Sequence, residues 1–318
     1  MYDPTPTPTP RHVDLLVLWD WKYDADFVAR LQACCAARGL SFAAFRGRQV
    51  KDFAAAAESA SFSAGLIFDR VSDVQPGIIH LLLHLKRAGT HLVNDPELMA
   101  WCRDKATMHL ELLSSGVRIP YGVILSTADH AKKLDLLELC KGQLGSPFVI
   151  KPAEGGGGEG VELNALGSED IADYFKRTSA GKIVLQRKVV PRMLGRRRGW
   201  FRVFWVLGST MPCWWDDLSH VYESLEPDDE TRFGLRPIYA IVAIIARISK
   251  MDFFTTEIAV DEDGQLVAVD FVNEMPDLRL QLQHADGVPA AVLDRAAEAL
   301  AERAAAPGAG HQAGAGAP

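Results

Sequence analysis

Ten residues near the middle of the chain constrain its fold most: Lys151-Pro152-Ala153-Glu154-Gly155-Gly156-Gly157-Gly158-Glu159-Gly160. Apolar runs of strand length flank them, residues 148–151 before and 161–163 after. The glycines therefore join strand to strand. A P-loop needs GxxxxGK[ST], and a dinucleotide fingerprint needs GxGxxG opening a helix; this segment is neither. Four successive glycines let backbone N–H groups approach phosphate oxygens without side-chain obstruction. A lysine ending the preceding strand can place a point charge beside them. Read from the residues alone, the segment is either a flexible surface hairpin or a mobile phosphate cover.

Around this loop the chain alternates in period. Residues 13–20, 41–45, 64–68 and 91–93 read as strands, with helical spacing over 24–38, 54–60 and 77–87. Strand and helix in alternation predict a small parallel α/β domain over residues 12–94. Asn94-Asp95-Pro96 then signals a helix start, and Leu98, Cys102, Ala106, Leu110 and Leu113 continue as one helical stripe until Gly116. A second α/β unit is expected over 121–190 and a third over 191–304, with a last helix at 291–305. The Thr-Pro repeat of residues 1–11 and the Gly/Ala/Pro-rich residues 305–318 offer little to bury and are expected to stay unfolded.

The second chemical signal is acidic. Glu257 and Asp270 stand in two apolar runs, FFTTEIAV and LVAVDFVN, joined by DEDG. Asp-Gly between such runs predicts a hairpin, which brings the two carboxylates together. Burying acids unpaired is costly. Either both face solvent, or they share a hard cation such as Mg²⁺, which takes few protein ligands and uses nucleotide phosphates for the rest. Asn273 and Glu274 lie just beyond.

Composition excludes several alternatives. The 318 residues carry a formal charge of -7, which disfavours a general polyanion or nucleic-acid partner. One segment runs against that balance: 186–202 holds Arg187, Lys188, Arg192, Arg196, Arg197, Arg198 and Arg202 without an acid. It reads as a solvated loop, as a patch for an anionic substrate, or as a nucleic-acid contact. No stretch reaches the roughly 18–20 apolar residues of a membrane span, and the start has no signal-peptide pattern. The five cysteines form no CxxC pair. Together these features give the expectation of a cytoplasmic protein without a membrane partner.

Six pieces, in order, carry a resemblance: a small α/β domain, then NDPELMAWCRDKATMHLELLSSGVRIPYGVIL, FVIKPAEGGGGEGV, IVLQRKVV, FRVFWVLG, and FTTEIAVDEDGQLVAVDFVNEMP. Over most of residues 12–280 the chain resembles the ATP-grasp superfamily, nearest its glutathione-synthase-like and ribosomal-protein-S6-modification-like ligases. The resemblance implies an α/β and α+β architecture: an ATP-grasp domain over 95–304, with a smaller lobe at 121–190 and a metal-binding lobe at 191–304, after a Rossmann-like pre-ATP-grasp domain. It implies ATP and Mg²⁺ (or Mn²⁺) as cofactors. The activity implied is ligation of a small-molecule carboxylate to an amine or thiol through an acyl phosphate, in an enzyme that can form a homodimer.

The resemblance also implies roles. Lys105 and Lys151 match lysines that reach the nucleotide phosphates, and Gly156, Gly157, Gly158 and Gly160 match the phosphate lid. Gln186, Lys188 and Val189 match the hinge around the base. Arg202 matches an arginine directed at the transferred phosphoryl group. Glu257, Asp270 and Asn273 match the metal ligands. Two departures stand out. Arg187 replaces the usual hinge glutamate, leaving ATP over GTP as an assumption. The usual E-x-N becomes Asp270-Phe271-Val272-Asn273, and one extra residue turns Asn273 to the opposite face unless a bulge restores it. Trp214, Trp215, Asp216, Asp217, His220 and Tyr222 are candidates for an acceptor pocket or for core cover. Lys22 and Asp24, at the end of the first strand, are candidates for substrate contact, with a helix start as the alternative for Asp24. A small-molecule kinase or a non-catalytic ATP-binding regulator of the same fold are the alternative functions.

Overall fold

The computed structural model describes residues 12–59, 62–126 and 142–306; both tails expected to be unfolded lie outside the described residues, save 305 and 306. The first strand, β1 (His12–Trp19), is a nearly continuous apolar run, as suits a strand covered on both faces. Helix α1 (Ala25–Ala37) follows and stops at Gly39, whose φ of 68° gives the left-handed turn that ends a helix cheaply. Next come β2 (Phe42–Arg46), α2 (Arg48–Ser59), β3 (Ser63–Arg70), α3 (Ile79–Arg87) and β4 (His91–Val93). The four strands pair in parallel in the order β2-β1-β3-β4. Helix α2 starts six residues before its expected first residue, 54, because Val50, Phe53 and Ala57 supply its buried face, not the alanine run alone.

The stripe expected as one helix is two: α4 (Pro96–Arg103) and α5 (Lys105–Ser114). Asp104 breaks it. Its backbone is extended, and its carboxylate accepts from the N–H groups of Ala106 and Thr107, which caps α5 afresh. Leu110 and Leu113, placed on that stripe, are exposed.

An antiparallel sheet follows, in the order β5-β8-β6-β7: β5 (Gly122–Ser126), β6 (Phe148–Pro152), β7 (Glu162–Ala165) and β8 (Lys182–Arg187). Helix α6 (Ser168–Arg177) sits between β7 and β8 in the chain and buries Ile171 and Tyr174 with Phe148, Ile150, Ile183 and Leu185. A small hairpin, β9 (Met193–Leu194) and β10 (Arg197–Arg198), leads to a second antiparallel sheet. Its strands are β11 (Trp200–Val206), β12 (Ser209–Trp215), β13 (Tyr222–Ser224), β14 (Phe253–Val260) and β15 (Leu266–Asn273), in the order β13-β12-β11-β14-β15. A helical turn, α7 (Asp229–Arg232), precedes α8 (Pro237–Ser249). Ile238, Val242 and Ile245 of α8 bury one face of this sheet with Phe201, Val203, Ile258 and Ala268. Gly264, at φ 79°, turns β14 into β15.

The last helix, α9 (Ala290–Ala305), was expected inside the domain spanning 95–304. That is corrected: α9 packs on α1, β1 and β3, with Leu293, Ala297, Leu300 and Ala301 buried. The described residues accordingly form two compact units. One runs up to Pro96 and resumes at Asp277; the other is Glu97–Pro276. Helical periodicity gives a helix an apolar face but does not name the sheet it covers. Among the described residues no helix is long and apolar enough to cross a membrane.

Candidate functional site

Three neighbouring strands of the second sheet carry one row of charge. Arg202 on β11 lies opposite Glu257 on β14, and Glu257 opposite Asp270 on β15. Opposed residues share a face, and Phe201, Val203 and Ile258 alternate to the other, core side. Arg202 Nη2 donates to Glu257 Oε1 at 2.5 Å, and Trp200 Nε1 donates to Oε2 at 3.2 Å. Burial pushes the Glu257 carboxyl above its usual range, opposed by Arg202 and reinforced by the charge of Asp270. Burial also opposes charge on Arg202, but Glu257 and Asp270 hold its guanidinium above its ordinary value. The guanidinium lies over the Trp215 ring at 4.7 Å.

The odd spacing after Asp270 is resolved by an irregularity in β15. Thr255 pairs with Asn273 and Glu257 with Asp270. Two steps along β14 thus match three along β15. The extra residue returns Asn273 to the face of Asp270. Thr256 Oγ1 donates to the Asp270 carbonyl at 2.8 Å and pins the irregular turn of backbone.

Lys151 of β6 is 6% exposed, and its Nζ lies 4.0 Å from Asp270 Oδ1. That is beyond hydrogen-bond reach. The ammonium also sits 5.7 Å from the centre of the Phe271 ring. Burial pulls its pKa below the ordinary lysine value, Asp270 resists, and the charge of Lys105 adds to the fall. Lys105 opens α5, and its ammonium donates to the Gly155 carbonyl. At the other end of the loop Tyr174 Oη donates to the Gly160 carbonyl at 2.7 Å. Between these two fastenings Gly156, Gly157 and Gly158 are exposed, and a methyl at any of them would meet nothing within 4 Å.

Gln186 of β8 is buried, and its Nε2 donates to the Val269 carbonyl at 3.2 Å, tying the first sheet to the second. Beyond it Lys188 Nζ donates to Asn164 Oδ1 at 2.6 Å, and Val189 is half-buried. Arg187 alternates outward, exposed, and donates to the Gln143 carbonyl at 2.5 Å.

No protein-family profile matches this sequence, and no curated protein matches it. Solved structures do. The ATP-grasp ligase PsnB, complexed with a minimal precursor, Mg and ADP, is 17% identical over 91% of this chain and 99% of its own, with a TM-score of 0.61. A RimK-domain ATP-grasp protein from Sphaerobacter thermophilus is 16% identical over 91% and 98%, at 0.60. D-alanine–D-alanine ligase from Bacillus anthracis, complexed with ATP, is 14% identical over 93% and 97%, also at 0.60.

The chain has the ATP-grasp fold. Within that ATP-grasp frame the row Arg202, Glu257, Asp270, Asn273 and the side chains of Lys105, Lys151 and Gln186 all belong to the unit Glu97–Pro276. Among the described residues no group of three or more His, Cys, Asp or Glu gathers as a metal cluster. Two carboxylates and an amide nonetheless fit Mg²⁺, which keeps waters and phosphate oxygens in its shell. Asp270, with its side chain 35% exposed, has room for one.

The basic segment 186–202 is largely spoken for. Arg197 pairs with Glu223 and lies over Trp214, Arg198 holds Asp217 with two hydrogen bonds, and Arg202 holds Glu257. These three acids lie later in the sequence, whereas Arg187 and Lys188 bond to a carbonyl and an amide. Trp214 is core, donating to Asp229 Oδ2 at 2.8 Å, whereas Trp215 carries Arg202 and stacks on His220 at 5.0 Å. In the other unit Asp24 stands at the N-cap of α1, but its carboxylate goes to Arg70, not to the helix N–H groups. Lys22 lies over the Tyr23 ring. Reading the sequence missed Trp200, Tyr174 and Lys182. Lys182 pairs with Asp104 at the start of α5, and this contact has no signal along the chain.

Proposed function

We propose that the chain binds ATP with Mg²⁺ and activates a carboxylate, which an amine or thiol then attacks. The carboxylate oxygen displaces ADP from the γ-phosphorus to form an acyl phosphate. The amine or thiol adds to the acyl carbon, loses its proton to water, and phosphate leaves with its bonding pair. The observation that carries this reading is the row Arg202, Glu257 and Asp270 facing a buried Lys151 whose counter-charge, Asp270, stands 4.0 Å away, beyond hydrogen-bond reach. Such an ammonium favours an anion beside it. The solved ligases similar to this chain include complexes with ADP and Mg and with ATP, which supports the nucleotide part of the reading.

Lys105, Lys151 and the backbone of Gly156, Gly157, Gly158 and Gly160 hold the phosphates. Gln186, Lys188 and Val189 border the base. Arg202 stabilises charge on the phosphoryl group in transit. Glu257, Asp270 and Asn273 hold the metal, which draws charge from the phosphate oxygens. Catalysis rests on positioning and charge, with no protein nucleophile. A metabolite pool with Mg·ATP, followed by ADP release and product mass, tests this. A new amide or thioester mass, formed only when carboxylate and acceptor are both present, is expected. A phosphorylated metabolite alone selects a kinase, and no ADP release above background from any pool overturns the ligase reading.

A further inference from the structure

His109 lies in the wall between the two sheets of the unit Glu97–Pro276 and has no role in the reading above. It is 5% exposed, and its Nδ1 is buried with no hydrogen-bond partner. Buried imidazole nitrogens are costly to leave unpaired, by roughly 1–3 kcal/mol. The neighbours cannot supply a partner. Phe271 offers a ring at 6.0 Å, and Gly122 offers only backbone against the ring edge. A methyl at Gly122 would stand 2.6 Å from His109 Cε1, so the glycine is what lets the imidazole occupy this place.

Its position along α5 says which part of a ligand it meets. His109 comes four residues after Lys105, hence on the same helix face and about 6 Å further along the axis. Lys105 is at the glycine loop, bonded to Gly155. His109 is at the other end, beside Gly122, the register partner of Gln186. Lys151 stands between, its ammonium over the same Phe271 ring that His109 touches. The phosphate groups belong with the lysines and the glycines, which leaves the uncharged half of a nucleotide for His109.

We propose that His109 is a nucleoside-binding residue, whose free ring nitrogen bonds to the base or ribose of the bound nucleotide. This rests on the nucleotide reading given above. A flip of the ring about its Cβ–Cγ bond puts Nδ1 where Cδ2 was and keeps the outline of the ring against Phe271 and Gly122, so the unpaired nitrogen can face either side. Burial first, and then the Lys151 charge, hold the imidazole below its ordinary pKa, so it is neutral and offers one donor and one acceptor.

Calorimetry with ADP, adenosine and tripolyphosphate on the full chain tests the assignment. His109→Phe keeps a ring and removes the unpaired nitrogen, so the free protein should melt no lower than the wild type. Its affinity for ADP and for adenosine should fall roughly three- to tenfold, the worth of one hydrogen bond. Its affinity for tripolyphosphate should be unchanged. Gly122→Ala, which crowds the ring without touching its nitrogens, should weaken adenosine in the same direction. If the wild type binds ADP and both variants bind adenosine as tightly, the proposal is overturned while the nucleotide site stands. An equal loss for tripolyphosphate overturns the nucleoside assignment. A wild type that binds none of the three overturns the nucleotide reading itself, and this inference with it.

Discussion

Asp270 can lose its charge with almost no change in volume. Asp270→Asn removes one of two facing carboxylates, which favours the free protein, and removes the counter-charge of Lys151 at 4.0 Å, which does not. The two effects oppose, so the melting temperature without ligand should move by only about a degree or two. Turnover should fall by about 100-fold or more, since the lost charge acts where phosphate charge develops, and excess Mg²⁺ should restore only part of it. A variant with wild-type turnover and an unchanged Mg²⁺ titration would remove Asp270 from the metal site. At this scale Lys151, Glu257 and Asp270 were legible because each is a charged residue in an apolar strand, which needs a reason to be there. The facing of Asn273 was not legible. It depends on how β15 pairs with β14, and the residues between Asp270 and Asn273 fit a regular strand as well as a bulged one. Asp24 was misjudged for a related reason: a capping residue beside a buried arginine has a stronger partner than the helix.

Elements show the same contrast between local and long-range causes. The glycine loop, the Asp-Gly turn and the apolar strands were readable because their signals lie within a few residues. The break at Asp104 was masked by the apolar period running through it, although Asp104 is itself a capping residue. The irregular part of β15 is held from the neighbouring strand by the Thr256 hydroxyl, in a residue only 1% exposed. Thr256→Val keeps the shape and leaves the Asp270 carbonyl short of one donor. It should cost about 1 kcal/mol, or about 2–4 °C in melting temperature. Because the bulge sets the direction of both Asp270 and Asn273, the Mg²⁺ concentration for half-maximal ATP turnover should also rise. A stability loss with unchanged Mg²⁺ dependence would show that the hydroxyl supports the strand without aiming the carboxylate.

For the whole molecule, every residue proposed to hold the nucleotide belongs to one unit, Glu97–Pro276. Hydrogen exchange with and without a non-hydrolysable Mg·ATP analogue should therefore show added protection within that span, strongest across residues 155–160, where glycines gain phosphate partners. Equal exchange across the loop, with binding confirmed separately, would deny it a covering role. The alternation of strand and helix made the parallel sheet legible from residues 12–94 alone. Its last covering helix was not, since nothing in residues 290–305 names a partner some 270 positions earlier.

That return has a consequence for the order in which the protein can be made. The sheet of β1–β4 and the helix α1 leave the ribosome early, yet the layer that α9 supplies follows only after the whole of Glu97–Pro276 has been translated. At about 5–20 residues per second the wait is roughly 10–40 s. During it the inserted unit can close its own cores while an apolar flank of the older sheet stays open to chaperones or to wrong neighbours. Of the two units, the one whose synthesis begins earlier finishes folding later.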